Sequence, residues 1–423
     1  MVDRRGSRRA RRHLARRPRR AGRGGQRTGL VRLEPGRTRH RLGPAPGRRR
    51  PHRRSGLGRE RLRRHHVTRA ASKSVKSTQQ CKDALVIDLR SDTVTQPTDA
   101  MWEAMRSAEL GDAVLGDDPT VLALEAKAAD LLGKEAGLFA PSGTQANLIG
   151  IMSHCGRGDE YIVGQAAHTY RFEQGGAAVL GSVQPQPIEN ESDGTLDLEK
   201  VAAAVKPVDP HFANTQLLCL ENTMNGHMIG LDYLADARKV ADDHGLSTHL
   251  DGARLFNAAV GLGVEARAIA DHFDTISICL SKGLGTPIGS VLVGSAELMA
   301  RGARHRKILG GGMRQAGILA AAGIHALDHH VDRLADDHAN AKTLAARLGA
   351  IDGVAVLEDV QTNMVFIEVE PGHDSPIEDF MAARGIKILG RYGRPLRLVT
   401  HLDYSADDVD TTMAAFEAWA MSR

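Results

Sequence analysis

Hydrophobic and polar positions divide the chain into two textures. Residues 1 to about 80 show neither a helical nor an alternating period, hold few large apolar residues and are rich in Arg, Gly and Pro. Such a stretch cannot bury enough surface to offset its chain entropy, so it is predicted to be disordered. Periodic sequence begins abruptly at Leu85-Val86-Ile87. Residues 87–95 read as a short strand-like segment crowded with polar groups. Asp118-Pro119 reads as an N-cap followed by a first-turn proline. Val121, Leu124, Ala128 and Leu131 form the stripe of an amphipathic helix that stops at Gly133.

Strand-like and helix-like segments then alternate. Tyr161-Ile162-Val163 and residues 216–220 read as strands. Residues 231–244 read as a helix closed by Gly245, residues 246–250 as a strand ending in Asp251, and residues 275–280 as a strand leading to Lys282. This alternation predicts an α/β layer with a mostly parallel sheet flanked by helices. After about His330 the pattern changes. A long helix through Val331, Leu334 and Leu344 precedes strands at 364–369 and 396–400, and a closing helix after Ser405 carries Val409, Met413 and Phe416 on one face. The expected organisation is a basic head (1–80), a large domain (86–330) and a smaller α+β domain (331–423).

Charge sharpens the boundary near residue 80. The first 80 residues hold 28 Lys and Arg against 3 acidic residues, while the whole chain carries only +5, which leaves an acidic body of −20. The head has three readings: a nucleic-acid-binding tail, a transit peptide without an amphipathic stripe, or upstream sequence translated from a misplaced start. The abrupt onset of foldable sequence favours the last, with Val86 as the initiator if its codon permits. An acidic body and the lack of aromatic residues among the arginines argue against nucleic-acid binding. No apolar run approaches the ~18 residues needed to span a bilayer, and no secretory h-region follows the basic start. Cys81, Cys155, Cys219 and Cys279 form no CxxC pair, a pattern that suits reduced thiols and a cytoplasmic location, without a metal site.

Candidate chemistry centres on Ile276-Ser277-Ile278-Cys279-Leu280-Ser281-Lys282-Gly283-Leu284-Gly285. An amine beside a tight glycine turn at a strand end is placed to condense with an aldehyde, and pyridoxal phosphate is the biological aldehyde used in this way. That cofactor also needs an anion cradle, a carboxylate for its pyridine nitrogen and a group over its ring. Ser142-Gly143-Thr144, opening a helix, offers backbone amides and hydroxyls to a phosphate, although a plain N-cap looks the same. Asp251 falls just past a strand end, where ligands of parallel sheets bind, although Asp-Gly is also a common turn. Arg254 suits a carboxylate or the cofactor's ring hydroxyl, and His168 suits stacking or proton transfer.

The ordered set of motifs resembles the low-specificity L-threonine aldolase family, whose members have the aspartate-aminotransferase-type fold. The matching stretches are 88–95 (Asp-Leu-Arg-Ser-Asp-Thr-Val-Thr), 142–147 (Ser-Gly-Thr-Gln-Ala-Asn), His168 with Phe172, Glu221-Asn222-Thr223, Asp251-Gly252-Ala253-Arg254, 280–285, 310–315 and 397–403. The resemblance implies that Lys282 carries pyridoxal phosphate, Asp251 pairs with the pyridine nitrogen, and Gly143 and Thr144 bind the phosphate. It implies that His168 stacks on the ring and moves a proton, while Ser91, Arg254 and Arg397 grip the substrate carboxylate. Lys307 and Arg314 would reach the phosphate of a neighbouring subunit in a homotetramer built as a dimer of dimers. The implied reaction is retro-aldol cleavage of threonine, allo-threonine or a related β-hydroxy-α-amino acid to glycine and an aldehyde.

Two positions depart from the family pattern. Leu115 stands where a tyrosine is common and Met224 where a histidine is common, both in stretches that border the substrate side chain in the family. Loss of two polar groups there predicts a more apolar pocket and a preference moved toward bulkier substrates. A β-eliminating lyase or racemase using the same Lys282 and Asp251 is the alternative reading. A nucleic-acid-binding protein is the remote one.

Overall fold

The computed structural model describes residues 86–370, 376–390 and 395–422, all within the unit Lys76–Arg423. The expectation of a disordered head at 1–80 lies outside the described residues. Twelve strands are described in chain order: β1 (Ile87–Asp88), β2 (Ala136–Ala140), β3 (Asp159–Gly164), β4 (Gln184–Ile188), β5 (Asn214–Glu221), β6 (Ser247–Gly252), β7 (Thr275–Cys279), β8 (Ser290–Gly294), β9 (Val354–Val356), β10 (Met364–Val369), β11 (Ile386–Lys387) and β12 (Leu396–Val399).

The main sheet has the order β2-β8-β7-β6-β5-β3-β4. β3 to β7 run parallel, and only β8 runs against its neighbours β2 and β7. The carboxyl ends of β2, β3, β5, β6 and β7 therefore share one edge. β7 and β8 are buried at every position, as both faces of such a sheet are covered by helices. β4, Gln-Pro-Gln-Pro-Ile, is the sheet edge, where its two prolines leave no inner ladder bond unmade. Those prolines also hid the strand in the sequence pattern.

A three-stranded antiparallel sheet, β12-β10-β9, forms the smaller C-terminal layer. Its core holds Leu344, Leu348, Val365, Leu398, Phe416 and Trp419, separate from the core under the main sheet. The N-terminal β1 joins this layer by pairing in parallel with β11. Ile87 and Leu89 are buried in the C-terminal core accordingly.

Local signals account for most boundaries. Asp118 caps the helix Pro119–Leu131 by accepting the Val121 N–H at 3.1 Å, and proline fills the first turn. Ser405 and Asp408 make a capping box for the closing helix Ala406–Ala420, whose Val409, Met413 and Phe416 are buried as the stripe predicts. Some expectations need correction. Residues 87–95 are not one strand: two residues pair with β11, and Asp92–Val94 then form a 3-10 turn capped by Ser91. Leu131 is 40% exposed, and Leu132, four residues after Ala128, takes the buried place. Val331 precedes the helix Leu334–Leu348 instead of lying in it. Among the described residues no helix is long and apolar enough to cross a membrane.

Candidate active site

Asp251 is the penultimate residue of β6, not a residue beyond it, and is 1% exposed. The sheet register sets it between Glu221 on β5 and Ser277 on β7. Its Oδ1 accepts the Ala253 N–H at 3.1 Å, and its Oδ2 accepts Asn147 Nδ2 at 2.8 Å. Asn147 lies in the helix Gly143–His154 and is saturated. Its Nδ2 also donates to Glu173 Oε1 at 3.0 Å, while its Oδ1 accepts from Ser277 Oγ and lies 3.3 Å from His249 Nε2.

His168 opens a one-turn helix just after β3. Its backbone N–H donates to Glu221 Oε2 at 2.6 Å, and its Nδ1 lies 2.9 Å from Glu173 Oε1. Phe172 sits beside it, with ring centroids 5.8 Å apart. Donor atoms of His168, Glu173 and Asp251 lie within 4.8 Å of one another. Burial first, and then the Asp251 charge, push the Glu221 carboxyl up to about 7. Burial and Asp251 also raise Glu173. The bond to Glu173 raises the His168 imidazole against the opposing effect of burial.

Lys282 follows β7 in a glycine turn, where Gly285 at φ +80° donates its N–H to the Lys282 carbonyl at 2.8 Å. That φ lies in the left-handed region, so glycine is needed there. The ammonium charge helps to lower the Asp92 carboxyl and opposes, without cancelling, the rise of Glu221. At the end of β2, separated from β7 by β8, Ser142 caps the helix Gly143–His154 by accepting the Gln145 N–H at 3.2 Å. The first-turn amides of Gly143 and Thr144 have no partner within the helix, and Gly143 lies beside Cys279.

Arg254 pairs with Asp92, a residue that the motif reading passed over. Its Nε and Nη2 donate to the two carboxylate oxygens at 2.7 Å each, with Asp92 fully buried. The neighbouring Ser91 Oγ accepts from Thr93, and Arg397 Nη2 reaches the Arg90 carbonyl at 3.5 Å. Ser91, Arg254 and Arg397 are thus drawn to one segment, 90–92.

Other expected residues lie elsewhere. Leu115 is 74% exposed on a turn, and Arg314, also exposed, bonds Asp112 in the same stretch at 2.9 Å. Lys307 is exposed near Gly312, which packs against Val114. Among the described residues no bond links these side chains to Lys282, Asp251 or His168. Met224 is buried in the large core, pairs backbone to backbone with His227, and packs against Gly194. Asn147 and Glu221 sat inside recognised motifs without a role. Glu173 carried no signal beyond its place five residues after His168.

Comparison with known proteins places this arrangement. Residues 88–370 match the family model described as β-eliminating lyase. The chain is 53% identical over 334 residues to the low specificity L-threonine aldolase of Escherichia coli K12, covering 79% of this chain and 99% of that protein. It is 43% identical over 343 residues to the low-specificity L-threonine aldolase 1 of Arabidopsis thaliana, covering 78% and 95%. The solved Leishmania major threonine aldolase shares the fold with a TM-score of 0.67 at 21% identity, over 79% of this chain and 99% of that one. With relatives matched over nearly their whole length and the family model matched over residues 88–370, the chain belongs to the low-specificity L-threonine aldolase family of β-eliminating-lyase-type enzymes.

Proposed function

We propose that this chain cleaves the Cα–Cβ bond of L-threonine, L-allo-threonine or a related β-hydroxy-α-amino acid, giving glycine and an aldehyde with pyridoxal phosphate as cofactor. The observation that carries the reading is convergence. A lysine amine, a buried carboxylate, an imidazole and a helix N-terminus stand at the carboxyl ends of β7, β6, β3 and β2 on one edge of one sheet. That donor set fits the cofactor: Asp251 would hold the pyridine nitrogen, Gly143 and Thr144 the phosphate, His168 the ring and Lys282 the aldehyde carbon. When bound, pyridoxal phosphate supplies an electron-accepting ring for the pair left on Cα.

The chain's own residues do the rest. Ser91, Arg254 and Arg397 bind and orient the substrate carboxylate, with Arg254 itself held by Asp92. His168 holds or moves a proton at Nε2, the ring nitrogen not facing Glu173. Leu115 and Met224 replace polar groups and favour bulkier, more apolar substrate side chains. Phe172, half-exposed beside His168, lines the same side.

The chain works in the cytoplasm as a homotetramer, a dimer of dimers, with Lys307 and Arg314 serving a neighbouring subunit's phosphate. The exposure of Lys307, Arg314 and Leu115 on adjoining stretches supports that assembly. The large and small domains meet near residue 330.

Absorbance with a product assay tests the reading. Purified protein is expected to show a band at about 420 nm from the lysine-bound cofactor, lost in Lys282→Ala, and to release acetaldehyde from L-threonine. The band without any aldehyde from threonine, allo-threonine or phenylserine would sink the aldolase reading. The family model's description favours β-elimination as the second reading, which 2-oxobutyrate and ammonia from threonine would identify. A D-amino acid would identify a racemase.

A further inference from the structure

We propose that Glu173 is a positioning residue that holds the His168 imidazole with its proton on Nδ1, leaving Nε2 as the nitrogen that serves the reaction. This deepens the reading above and rests on its assignment of His168 to the cofactor site.

The geometry begins with the backbone. The one-turn helix His168–Arg171 ends at Phe172, and Gln174 and Gly175 take φ +56° and +66°. That reversal returns the Glu173 side chain beneath its own helix, where it is only 4% exposed, while the His168 side chain is 39% exposed. One oxygen, Glu173 Oε1, faces both His168 Nδ1 at 2.9 Å and Asn147 Nδ2 at 3.0 Å.

The orientation of Asn147 fixes the direction of its own bond to Glu173, and the ionised carboxylate, with no proton to give, fixes that of the bond to His168. Asn147 Oδ1 accepts from Ser277 Oγ, so its amide N–H groups must point the other way, to Glu173 and Asp251. An N–H can only donate, so Oε1 is already an acceptor. A carboxylate oxygen that accepts twice then takes the second proton from His168 Nδ1. The imidazole is left with Nε2 as the ring nitrogen that does not face Glu173.

Charged groups reach the His168 ring from three elements. Glu173 lies on its own segment, Asp251 on β6 and Glu221 on β5, and Lys282 after β7 acts on Glu221. All three carboxylates favour the protonated imidazole, and the direct bond to Glu173 is the largest influence. Glu173 therefore does two things to His168: it selects a tautomer and it makes the ring a stronger base.

The test is 15N NMR on the full-length holoenzyme labelled in histidine, with His168→Phe used to assign the signal by difference. Above its titration, His168 is expected to carry its proton on Nδ1, the minor tautomer of free histidine. In Glu173→Gln the His168 titration is expected to fall by about one pH unit or more. kcat is expected to fall about 10- to 100-fold, with KM and cofactor affinity changed less than about threefold. An Nε2–H tautomer in the wild-type protein overturns the proposal, and that result needs no variant to fold. An unmoved His168 titration in folded Glu173→Gln also overturns it. Neither result depends on turnover, whereas absence of aldehyde from the wild-type enzyme would strike the aldolase reading and leave the tautomer result standing.

Discussion

Arg254 and Asp92 are joined by two parallel hydrogen bonds of 2.7 Å across 162 residues of sequence, and Asp92 has no solvent exposure. Asn363 adds a third, longer bond to the same carboxylate at 3.4 Å. The pair ties the polar segment after β1 to the turn after β6. It also holds the Arg254 side chain in one place.

Breaking that pair from one side leaves a buried guanidinium without its counter-charge. Asp92→Asn is expected to lose about 3–5 kcal/mol of stability and to raise KM for amino-acid substrates more than it lowers kcat. Chemical denaturation and steady-state kinetics check both parts. The Arg254 and Lys282 charges and the Asn363 bond outweigh burial and take the Asp92 carboxyl from 3.8 to about 2. A carboxyl lowered on folding stabilises the protein fully above its unfolded value and ceases to do so as pH falls through its folded value. Wild-type stability should therefore decline between about pH 4 and pH 2 more steeply than that of Asp92→Asn. Equal slopes would mean that Asp92 is not the group responsible.

Glu221 has the opposite sign. Its carboxyl is pushed up to about 7 by burial and Asp251, so the folded chain holds that proton more tightly than the unfolded chain. The associated stability is full below the ordinary glutamate value and is lost as pH rises through about 7. Glu221→Gln keeps an oxygen for the His168 N–H and removes the charge. Its melting temperature is expected to exceed that of the wild type by about 1–3 °C at pH 8 and to match it at pH 5. Scanning calorimetry at the two pH values decides it, and a lower melting temperature at pH 8 would contradict the account.

Gly150 packs beneath His249, a fully buried imidazole bonded to Thr275 Oγ1 at 2.9 Å. A Cβ at residue 150 would lie 2.5 Å from His249 Cε1. Alanine gains about 1 kcal/mol of helix propensity over glycine, but overpacking a held ring costs about 1–3 kcal/mol. Gly150→Ala is expected to be net destabilising. The double variant Gly150→Ala/His249→Ala should recover part of the loss, because the two effects share one cause. Thermal melts of the four proteins complete the cycle, and additive losses would refute the coupling.

Met224 offers the test of substrate preference. Met224→His is expected to move the ratio of kcat/KM for threonine over phenylserine by about tenfold toward threonine. Burial of a more polar ring in the core should lower stability by about 1–3 kcal/mol. Competition assays with both substrates measure the ratio directly, and an unchanged ratio would remove Met224 from the determinants of preference.

Local sequence by itself determined much of the scaffold. Asp118-Pro119 and Ser405 mark helix starts, β10 falls where the apolar run at 364–369 places it, and Lys282 and Asp251 stand at the ends of predicted strands. These features depend on neighbours a few residues away, so their signals lie within one window of sequence. Tertiary structure alone decided the rest. Asn147 joins Asp251 to Glu173 across 104 and 26 residues, Arg254 meets Asp92 across 162, and β1 pairs with β11 near the other end of the chain. A buried hydrogen-bonding group needs a partner, but nothing in its own neighbourhood says which distant strand will supply one. Residue types announced a lysine, a carboxylate and an imidazole, and only the closing of the sheet fixed which atoms they present to one another.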